Sequence, residues 1–424
     1  MSARLHSTAP VAERAVLVGV DLPKARIPVT ESVEELGRLA DTAGLAVVGQ
    51  VVQPVRRIHP ATYIGAGKVA DIQALLVANG GNVVVFDEAL SPAQQRNLEK
   101  AFSCKVIDRS ALILDIFAQR ARTTEGKLQV ELAQLQYLLP RLTRAWTHLS
   151  RLGGGVGTRG PGETQLEVDR RRVRERLTVL RRRLDDVART RGLHRAERSA
   201  TPTPTVALVG YTNAGKSTLM NRLTQAGVLV EDRLFATLDP TVRRLRLPGG
   251  LTVALADTVG FIHKLPHQLV EAFKSTLEQV RTADLLVHVV DVSHPSRDEH
   301  ERVVDAVLEE IGAGTVPRVI VLNKCDRLLG REVEPGAGGP GVRISARTGE
   351  GMEPLLTEIE RALSRDLSRV RLEIPSARGD LVALLRRAGR ILEEYYRDGS
   401  VIVTALVPAK VAGQVQKALA ATIP

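Results

Sequence analysis

The sequence contains very little cysteine and few aromatic residues. Its 424 residues include two cysteines, Cys104 and Cys325, and only 3% are Phe, Trp or Tyr. Two cysteines so far apart argue against a disulfide framework and against a zinc site, and they suit a reducing cytoplasm. With so few rings, stacking of nucleic-acid bases on a sheet surface is not expected.

Long apolar runs are also lacking. No window approaches the roughly 18 apolar residues that cross a membrane, and residues 1–20 lack the pattern of a secretory signal. We therefore expect a cytoplasmic protein without a membrane span. A single hydrophobic core stops growing below this chain length, so several domains are predicted. The composition, 44% hydrophobic and 25% charged, is typical of a soluble globular protein.

Positive charge is in excess and is concentrated in one segment. The formal net charge is +11 and the isoelectric point is near 10.0, which predicts an anionic partner. Residues 116–200 hold 19 Lys and Arg against 9 Asp and Glu, so nearly the whole excess lies there.

Residues 14–115 alternate short apolar runs with helical patterns, which predicts a small α/β domain. The apolar runs are AVLVGV, LAVVGQVV, NVVVF and KVID, and the helical patterns are SVEELGRLADTAG, GKVADIQALLVANG and SPAQQRNLEKAF. The tetrapeptide GAGK at 65–68 could indicate a second phosphate-binding loop. However, Thr62 stands where that motif requires glycine and Val69 follows the lysine, so a plain turn before a helix is favoured.

From residue 127 the apolar residues adopt a helical period in two segments, separated by the glycine-rich run RLGGGVGTRGPGETQ. The first set is Leu128, Leu132, Leu135, Leu138, Leu142, Trp146 and Leu149, and the second is Leu166, Val173, Leu177, Leu180, Leu184 and Val187. Two long helices, each with one apolar seam, predict an antiparallel helical hairpin. Pro140 is expected to kink the first helix, because it removes a backbone hydrogen bond.

The arginines of the second helix, in RRRVRER and RRR, allow two interpretations. A charge run is usually a solvated helix surface. Here the excess persists after the acidic residues are counted, and the glycines near Arg151 and Arg159 provide backbone donors and permit close approach. We favour a nucleic-acid-binding finger that contacts the backbone and shape of folded RNA, without DNA specificity.

A phosphate-binding loop follows the linker-like run SATPTPT at 199–205. The strand VALVG leads into GYTNAGKST at 210–218, which fits G-x-x-x-x-G-K-[ST], and the pattern TLMNRLTQ predicts a helix directly afterwards. The backbone N–H groups of such a loop surround phosphates. The residues expected to hold nucleotide are Gly210, Tyr211, Thr212, Asn213, Ala214, Gly215, Lys216, Ser217 and Thr218.

Four further stretches have the order and rough spacing of a guanine-nucleotide switch protein. They are FATLDPT at 235–241, DTVG at 257–260, NKCD at 323–326 and SAR at 345–347. Each could be an accident alone, but together they predict binding of GTP and GDP. The candidate residues are Phe235, Ala236, Thr237, Leu238, Asp239, Asp257, Thr258, Val259, Gly260, Asn323, Lys324, Cys325, Asp326, Ser345, Ala346 and Arg347.

The predicted metal is Mg²⁺, bound directly by the hydroxyls of Ser217 and Thr237, with Asp257 orienting it through water. Lys216 would neutralise the β- and γ-phosphates. Gly260 would donate its N–H to the γ-phosphate with no side chain in the way. Hydrolysis would then release both loops, which is an order-to-disorder switch.

Asp326 is the predicted base-discriminating residue. Its carboxylate can accept from N1–H and the exocyclic amine of guanine, whereas adenine would present an unprotonated N1 to it. Lys324 would lie along the base plane, and backbone amides near Ser345 and Ala346 would meet the guanine oxygen. Cys325 is interpreted as a small packed residue rather than a redox site.

One expected component is missing. Phe261 stands where a water-orienting glutamine lies in the small signalling GTPases, and an apolar ring cannot orient water. Basal hydrolysis is therefore expected to be slow. The missing group must come from elsewhere in the chain, from the nucleotide and its ions, or from a partner, and no catalytic base is identified.

These motifs, preceded by LQVELAQLQYLLPRL and GGGVGTRGPGETQLEVDRR, resemble those of the HflX-type GTPases over residues 14 to 366. The hairpin motifs are the most specific part. The resemblance implies a cytoplasmic GTPase that binds the large ribosomal subunit and its rRNA, is stimulated by it, and splits stalled or idle ribosomes. Cys325 departs from the more common aliphatic residue at its position, which puts little in doubt. A monomer is expected for the free protein.

The predicted fold class is α/β with several domains. The divisions are an α/β domain at 14–115, a basic helical hairpin with a glycine-rich tip at 116–198, a linker at 199–204, a P-loop GTPase domain at 205–366 and a small α+β domain at 367–424. The GTPase sheet is expected to be mostly parallel with helices on both faces. The last segment reads as a strand, a helix, two strands and a helix, and its role is left open, as is any ATP site in the first domain.

Two alternatives to a GTP-hydrolysing switch stay open. In one, the protein is an RNA-binding adaptor that uses GTP as a structural ligand, so Lys216→Ala would leave ribosome binding intact. In the other, it is an ordinary ATPase, which would make Asp326 irrelevant to base choice.

Overall fold

The fold is known from a computed structural model that describes residues 13–23, 26–142, 165–198, 203–224, 234–235, 241–266, 269, 273–328, 341–364 and 367–420. These residues form three separate sheets with helices between their strands. The α/β class is confirmed. Within the described residues, no helix is both long and apolar enough to cross a membrane.

The first sheet is entirely parallel, with strand order β2-β1-β3-β4. The strands are β1 (Arg14–Asp21), β2 (Ala46–Pro54), β3 (Val83–Phe86) and β4 (Lys105–Asp108), and the helices are α1 (Val29–Thr42), α2 (Ala66–Asn79), α3 (Pro92–Phe102) and α4 (Arg109–Arg120). Each predicted strand and helix of this segment is present. Gly65 is the N-cap residue of α2 and Ala66–Lys68 are its first helical residues, so GAGK is the start of the helix and not a separate turn before it.

The helical hairpin consists of α5 (Thr124–Leu138) and α6 (Gln165–Arg198). The two helices run antiparallel, because Arg170 donates to the Leu142 carbonyl at 2.8 Å while Arg176 binds Glu131 at 2.6 Å. The predicted seam of α6 is buried at three positions, Val173, Leu177 and Leu180.

The predicted kink at Pro140 is wrong. Helix α5 ends at Leu138, and Pro140 lies in the 3₁₀ turn Leu139–Arg141. Proline has no N–H with which to continue the hydrogen-bond ladder, so the helix stops here instead of bending. The glycine-rich run, Trp146 and Leu149 lie outside the described residues.

The second sheet has six strands in the order β10-β9-β8-β5-β7-β6, and only β6 is antiparallel to its neighbour. The strands are β5 (Thr205–Val209), β6 (Thr241–Arg246), β7 (Thr252–Asp257), β8 (Leu285–Asp291), β9 (Arg318–Asn323) and β10 (Val342–Arg343), and the helices are α7 (Lys216–Thr224), α8 (Lys274–Arg281), α9 (Arg297–Glu310) and α10 (Met352–Ser364). Because parallel strands end at the same edge, their carboxyl ends bring the nucleotide motifs together.

The third sheet is antiparallel and matches the predicted strand and helix order of the C-terminal segment. Its order is β11-β13-β12, with β11 (Leu367–Pro375), β12 (Arg390–Arg397) and β13 (Ser400–Pro408), and its helices are α11 (Gly379–Ala388) and α12 (Ala409–Ala420). Its core contains Leu385, Val403 and Val415, which are fully buried.

The chain forms two compact units, Met1–Arg182 with Lys264–Ala272, and Arg183–His263 with Phe273–Pro424. The short segment that begins at Lys264 therefore belongs to the first unit, although it starts only four residues after Gly260. The sequence did not predict this. The predicted domain boundaries stay a proposal.

A buried ion cluster lies at the carboxyl edge of the first sheet. Arg109 is 1% exposed and pairs with Asp87 at 2.6 Å and with Glu35 at 2.7 Å. Ser32 and Lys264 donate to the second oxygen of Asp87, at 2.7 and 2.6 Å. Burial alone would raise the pKa of the Asp87 carboxyl, but the charges of Arg109 and Lys264 overcome this and lower it to about 2.

We expect Arg109→Met to lower the free energy of unfolding by about 3–5 kcal/mol near neutral pH, because two carboxylates are left buried beside a neutral side chain. In the wild type, the depressed pKa of Asp87 stabilises the fold above the ordinary value of 3.8, and this contribution is lost as the pH falls through about 2. Urea denaturation followed by circular dichroism between pH 2 and 7 measures both effects.

Arg318→Met is the matched control, because Arg318 forms an exposed ion pair with Asp305. This substitution should lower the free energy of unfolding by less than about 1 kcal/mol at every pH. Equal costs for the two variants would contradict a structural role of the buried cluster.

Candidate nucleotide-binding site

The phosphate loop connects the end of β5 to the first turn of α7. Three of its residues, Gly210 (φ 148°), Asn213 (φ 58°) and Gly215 (φ 100°), have positive φ angles. A Cβ on Gly215 would lie 2.3 Å from the side-chain nitrogen of Asn323, so only glycine fits where these two motifs meet.

Lys216 is a buried cation within this loop. Its side chain donates to the carbonyl oxygens of Gly210 and Tyr211 at 3.0 and 2.8 Å. Burial lowers the pKa of the ammonium to about 8, while the charge of Asp257 acts in the opposite direction. A buried ammonium at a helix N-terminus is electrostatically suited to a phosphate, which would supply the missing negative charge.

Ser217 and Asp257 supply two hard oxygen donors side by side. The Ser217 hydroxyl donates to the Asp257 carboxylate at 2.7 Å, and Asp257 is fully buried. Oxygen ligands of this kind at the start of α7 are what Mg²⁺ prefers, so the described part of the predicted site fits the ion. The second predicted ligand, Thr237, lies outside the described residues with Ala236, Leu238 and Asp239.

The DTVG loop packs directly on the phosphate loop. A Cβ on Gly260 would lie 3.0 Å from both the Lys216 ammonium and the Thr212 Cα, so there is little room for a side chain. Phe261 is 1% exposed, which agrees with a packing role for its ring. Its backbone accepts from Thr212 N–H at 2.7 Å and donates to the Gly210 carbonyl at 3.1 Å.

Asn323 connects three predicted stretches. Its amide nitrogen donates to the Ala214 carbonyl at 2.7 Å, and its amide oxygen accepts from Ala346 N–H at 2.9 Å. The Ser345 N–H donates to the Glu350 carbonyl at 3.0 Å. Both amides predicted to meet the guanine oxygen are thus bonded within the protein, and that contact stays a prediction.

Asp326 is held as an ionised acceptor. Ser345 Oγ donates to one carboxylate oxygen at 2.7 Å, and Arg347 binds the other at 2.5 Å. The Ser345 hydrogen bond, followed by the charge and hydrogen bonds of Arg347, lowers the pKa of this carboxyl despite partial desolvation. An oriented, charged acceptor is what guanine readout requires.

Sequence reasoning missed two residues of the site. Asp291, the last residue of β8, pairs with Lys324 at 2.7 Å and accepts from Ser293 Oγ at 2.6 Å. It could have been found, because it ends a buried apolar strand as the other motifs do. Arg222 of α7 donates to the Ala346 carbonyl at 3.2 Å, and no sequence pattern singles it out.

The structure therefore brings together the phosphate loop, DTVG, NKCD and SAR. Within DTVG, the Thr258 hydroxyl donates to the Leu208 carbonyl at 2.6 Å, and Val259 is buried. Cys325 packs near Val290 and Leu322, which agrees with the packed role predicted for it. Phe235 is buried, while residues 236–240 lie outside the described part of the chain.

Three family models match consecutive parts of the chain. Their descriptions are GTP-binding GTPase N-terminal for residues 30–118, GTP-binding GTPase Middle Region for 120–198 and 50S ribosome-binding GTPase for 205–324.

Curated relatives match almost the full length. GTPase HflX of Escherichia coli is 46% identical over 403 residues, which are 93% of this chain and 94% of that protein. GTPase HflX of Caldanaerobacter subterraneus is 47% identical over 400 residues, 94% and 92% of the two chains. A crystal structure of a GTP-binding protein from Sulfolobus solfataricus in complex with GDP covers 83% of this chain and 99% of that one, at 24% identity and a TM-score of 0.44.

Two Asp→Asn variants separate base choice from general affinity. We expect Asp326→Asn to reduce the preference for GTP over ATP by about tenfold or more, because the charged acceptor is lost. Asp291→Asn should weaken GTP and ATP binding in the same proportion, since it loosens Lys324 and does not touch base readout. Competition between fluorescent guanine and adenine nucleotides measures the ratio, and an unchanged ratio for Asp326→Asn would contradict the assignment.

Proposed function

The chain belongs to the HflX family of GTPases, and from this premise we propose that its GTP-bound form binds the large ribosomal subunit and splits stalled or idle ribosomes. The protein is a GTPase that converts GTP and water to GDP and phosphate. The match of residues 205–324 to a 50S ribosome-binding GTPase model supports the choice of partner.

The observation that carries this proposal is the arginine surface of α6. It comprises the exposed residues Arg171, Arg172, Arg174, Arg176, Arg181, Arg182 and Arg183. Glu131 of α5 pairs with Arg176, but opposite charges are still too few to neutralise this surface. Residues 165–190 hold nine arginines against five acidic residues, which are Glu167, Asp169, Glu175, Asp185 and Asp186. A surplus of exposed guanidinium groups along one helix fits the phosphate backbone of rRNA.

The pocket residues suggest how the nucleotide is held. The phosphate-loop amides and Lys216 would neutralise the phosphates, and Gly260 N–H would contact the γ-phosphate. Ser217 and Thr237 would hold Mg²⁺ with help from Asp257, and the ion would neutralise charge on the phosphate oxygens. Loss of the γ-phosphate would release the segments around Thr237 and Gly260.

Hydrolysis by the free protein is proposed to be slow. Phe261 fills the position of a water-orienting glutamine, and its ring is packed away from solvent. If fast hydrolysis requires the large subunit, little GTP is hydrolysed by the protein away from the ribosome. We place the protein in the cytoplasm as a monomer that associates peripherally with ribosomes.

The adaptor alternative predicts a different response to loss of Lys216. If GTP were only a structural ligand, Lys216→Ala would still bind and split ribosomes wherever its fold is intact. For a switch, this variant should lose GTP-dependent splitting, as measured by sucrose-gradient sedimentation of ribosomes with GTP and with GDP.

The arginine surface can be tested by charge removal. We expect Arg171→Gln, Arg172→Gln and Arg174→Gln together to weaken cosedimentation with large subunits and to reduce the slope of log affinity against log salt by up to about three, one for each lost phosphate contact. Stimulated GTP turnover should fall, while basal turnover should not change.

The control triple variant is Arg386→Gln, Arg387→Gln and Arg390→Gln, which removes the same charge from exposed positions of the C-terminal segment. For this control, the slope of log affinity against log salt should stay close to the wild-type value. Equal losses for both triple variants would show that only bulk charge matters, and no loss for the α6 variant would refute the proposed contact.

A further inference from the structure

We propose that the side chain of Tyr211 is a positioning residue for GTP hydrolysis, because it fixes the segment Phe261–His263 and, through it, the Gly260 N–H. The inference rests on the GTPase activity of the family and does not depend on ribosome binding. Tyr211 is the second residue of the phosphate loop, where the motif itself sets no residue type.

The first part of the argument is a backbone connection between the two loops. Tyr211 and Phe261 form a parallel β-bridge, flanked by the hydrogen bonds from Thr212 N–H to the Phe261 carbonyl and from Phe261 N–H to the Gly210 carbonyl. These bonds use main-chain groups only. They hold the residue directly after Gly260 to the phosphate loop whatever side chains are present.

The second part does depend on tyrosine. The Tyr211 hydroxyl accepts a hydrogen bond from His263 N–H at 2.9 Å. The Phe261–His263 segment is therefore held at both ends, at Phe261 by the backbone and at His263 by a phenol oxygen. Phenylalanine could fill the same space but would leave the His263 N–H without this acceptor.

The third part is the support behind the tyrosine ring. Tyr211 is 6% exposed, and its ring stacks on His300 of α9 with centroids 3.7 Å apart and planes 6° apart. The His294 ring lies against His300 in turn, with centroids 4.3 Å apart. The phenol is thus held between α9 and the loop, so its hydroxyl has one well-defined position.

Losing the Tyr211 hydroxyl should affect GTP and not GDP. Gly260 is the predicted contact of the γ-phosphate, while the phosphate-loop amides and Lys216 also serve GDP. Loss of the His263 bond leaves the segment attached at Phe261 alone, so that it can pivot there next to Gly260. This should affect GTP hydrolysis and the relative affinity for a GTP analogue, and it should spare GDP. A merely structural tyrosine would affect both nucleotides alike.

The experiment compares full-length wild type with Tyr211→Phe. We expect kcat for GTP to fall about three- to tenfold, the range that one hydrogen bond can supply. The affinity for GDP should stay within about twofold, so the ratio of affinities for a non-hydrolysable GTP analogue and GDP should drop. Single-turnover kinetics and fluorescent-nucleotide titration measure these quantities.

Two further variants test the ring support. His300→Ala removes the stack and should reproduce part of the kcat loss, while His300→Phe keeps an aromatic neighbour and should restore it. Thermal unfolding of each variant, with GDP bound, checks that the fold is retained.

The matched control is Tyr395→Phe, which removes another tyrosine hydroxyl that accepts a hydrogen bond, here from Arg371 at 2.6 Å in the third sheet. It should leave turnover and both affinities unchanged. The proposal is overturned if Tyr211→Phe turns over GTP like wild type, or if it weakens GDP and the GTP analogue equally with kcat unchanged.

Discussion

One side-chain amide, that of Asn323, holds the nucleotide pocket together. It donates to Ala214 in the phosphate loop and accepts from Ala346 in the SAR stretch, so three segments far apart in sequence share one pair of hydrogen bonds. Because Asn323 is 2% exposed, replacing it would leave buried polar groups without partners. The glycine at 215 follows from the same constraint, since a Cβ there would occupy the place of the amide.

Within this hydrogen-bonded framework, two charged side chains determine which ligands the pocket favours. Lys216 is a buried ammonium at the start of a helix, and Asp326 is a carboxylate kept ionised by Ser345 and Arg347. The first favours phosphate and the second favours a base that can donate two hydrogen bonds. The predicted phosphate and base contacts therefore follow the carboxyl ends of β5 and β9, which are separated by β8 alone. Lys324 of NKCD pairs with Asp291 at the end of β8.

We propose that the response to GTP depends on how firmly the DTVG loop is attached to this framework. Phe261 has no group with which to orient water, but its backbone bridges to the phosphate loop and its ring fills the core. The position that holds a water-orienting glutamine in the small signalling GTPases is here a phenylalanine that attaches the DTVG loop to the phosphate loop. We propose that hydrolysis by this protein draws its missing group from outside that position, and that the arginine surface of α6 brings the protein to the large ribosomal subunit, which would stimulate it.

Much of this could be predicted because it depends on local sequence. The alternation of apolar runs and helical patterns predicted each strand of the first and third sheets, and the motif spacing predicted the phosphate loop, DTVG, NKCD and SAR. Local rules failed at Pro140, where a proline that cannot continue the hydrogen-bond ladder ended the helix. They also could not reveal which residues pair, as Asp291 does with Lys324, Arg222 with Ala346 and His263 with Tyr211, because these contacts join residues 33 to 124 positions apart.

The sequence by itself determined the fold class, the nucleotide motifs and the location of the positive charge, since periodicity, glycine placement and residue type are read along the chain. Only the tertiary structure decided which groups share a hydrogen bond: Arg109 with Asp87, Lys324 with Asp291, and Tyr211 with His263. The physical reason is that strand order in a parallel sheet sets these distances, and a hydrogen bond or a buried ion pair forms only when two groups lie within about 3 Å.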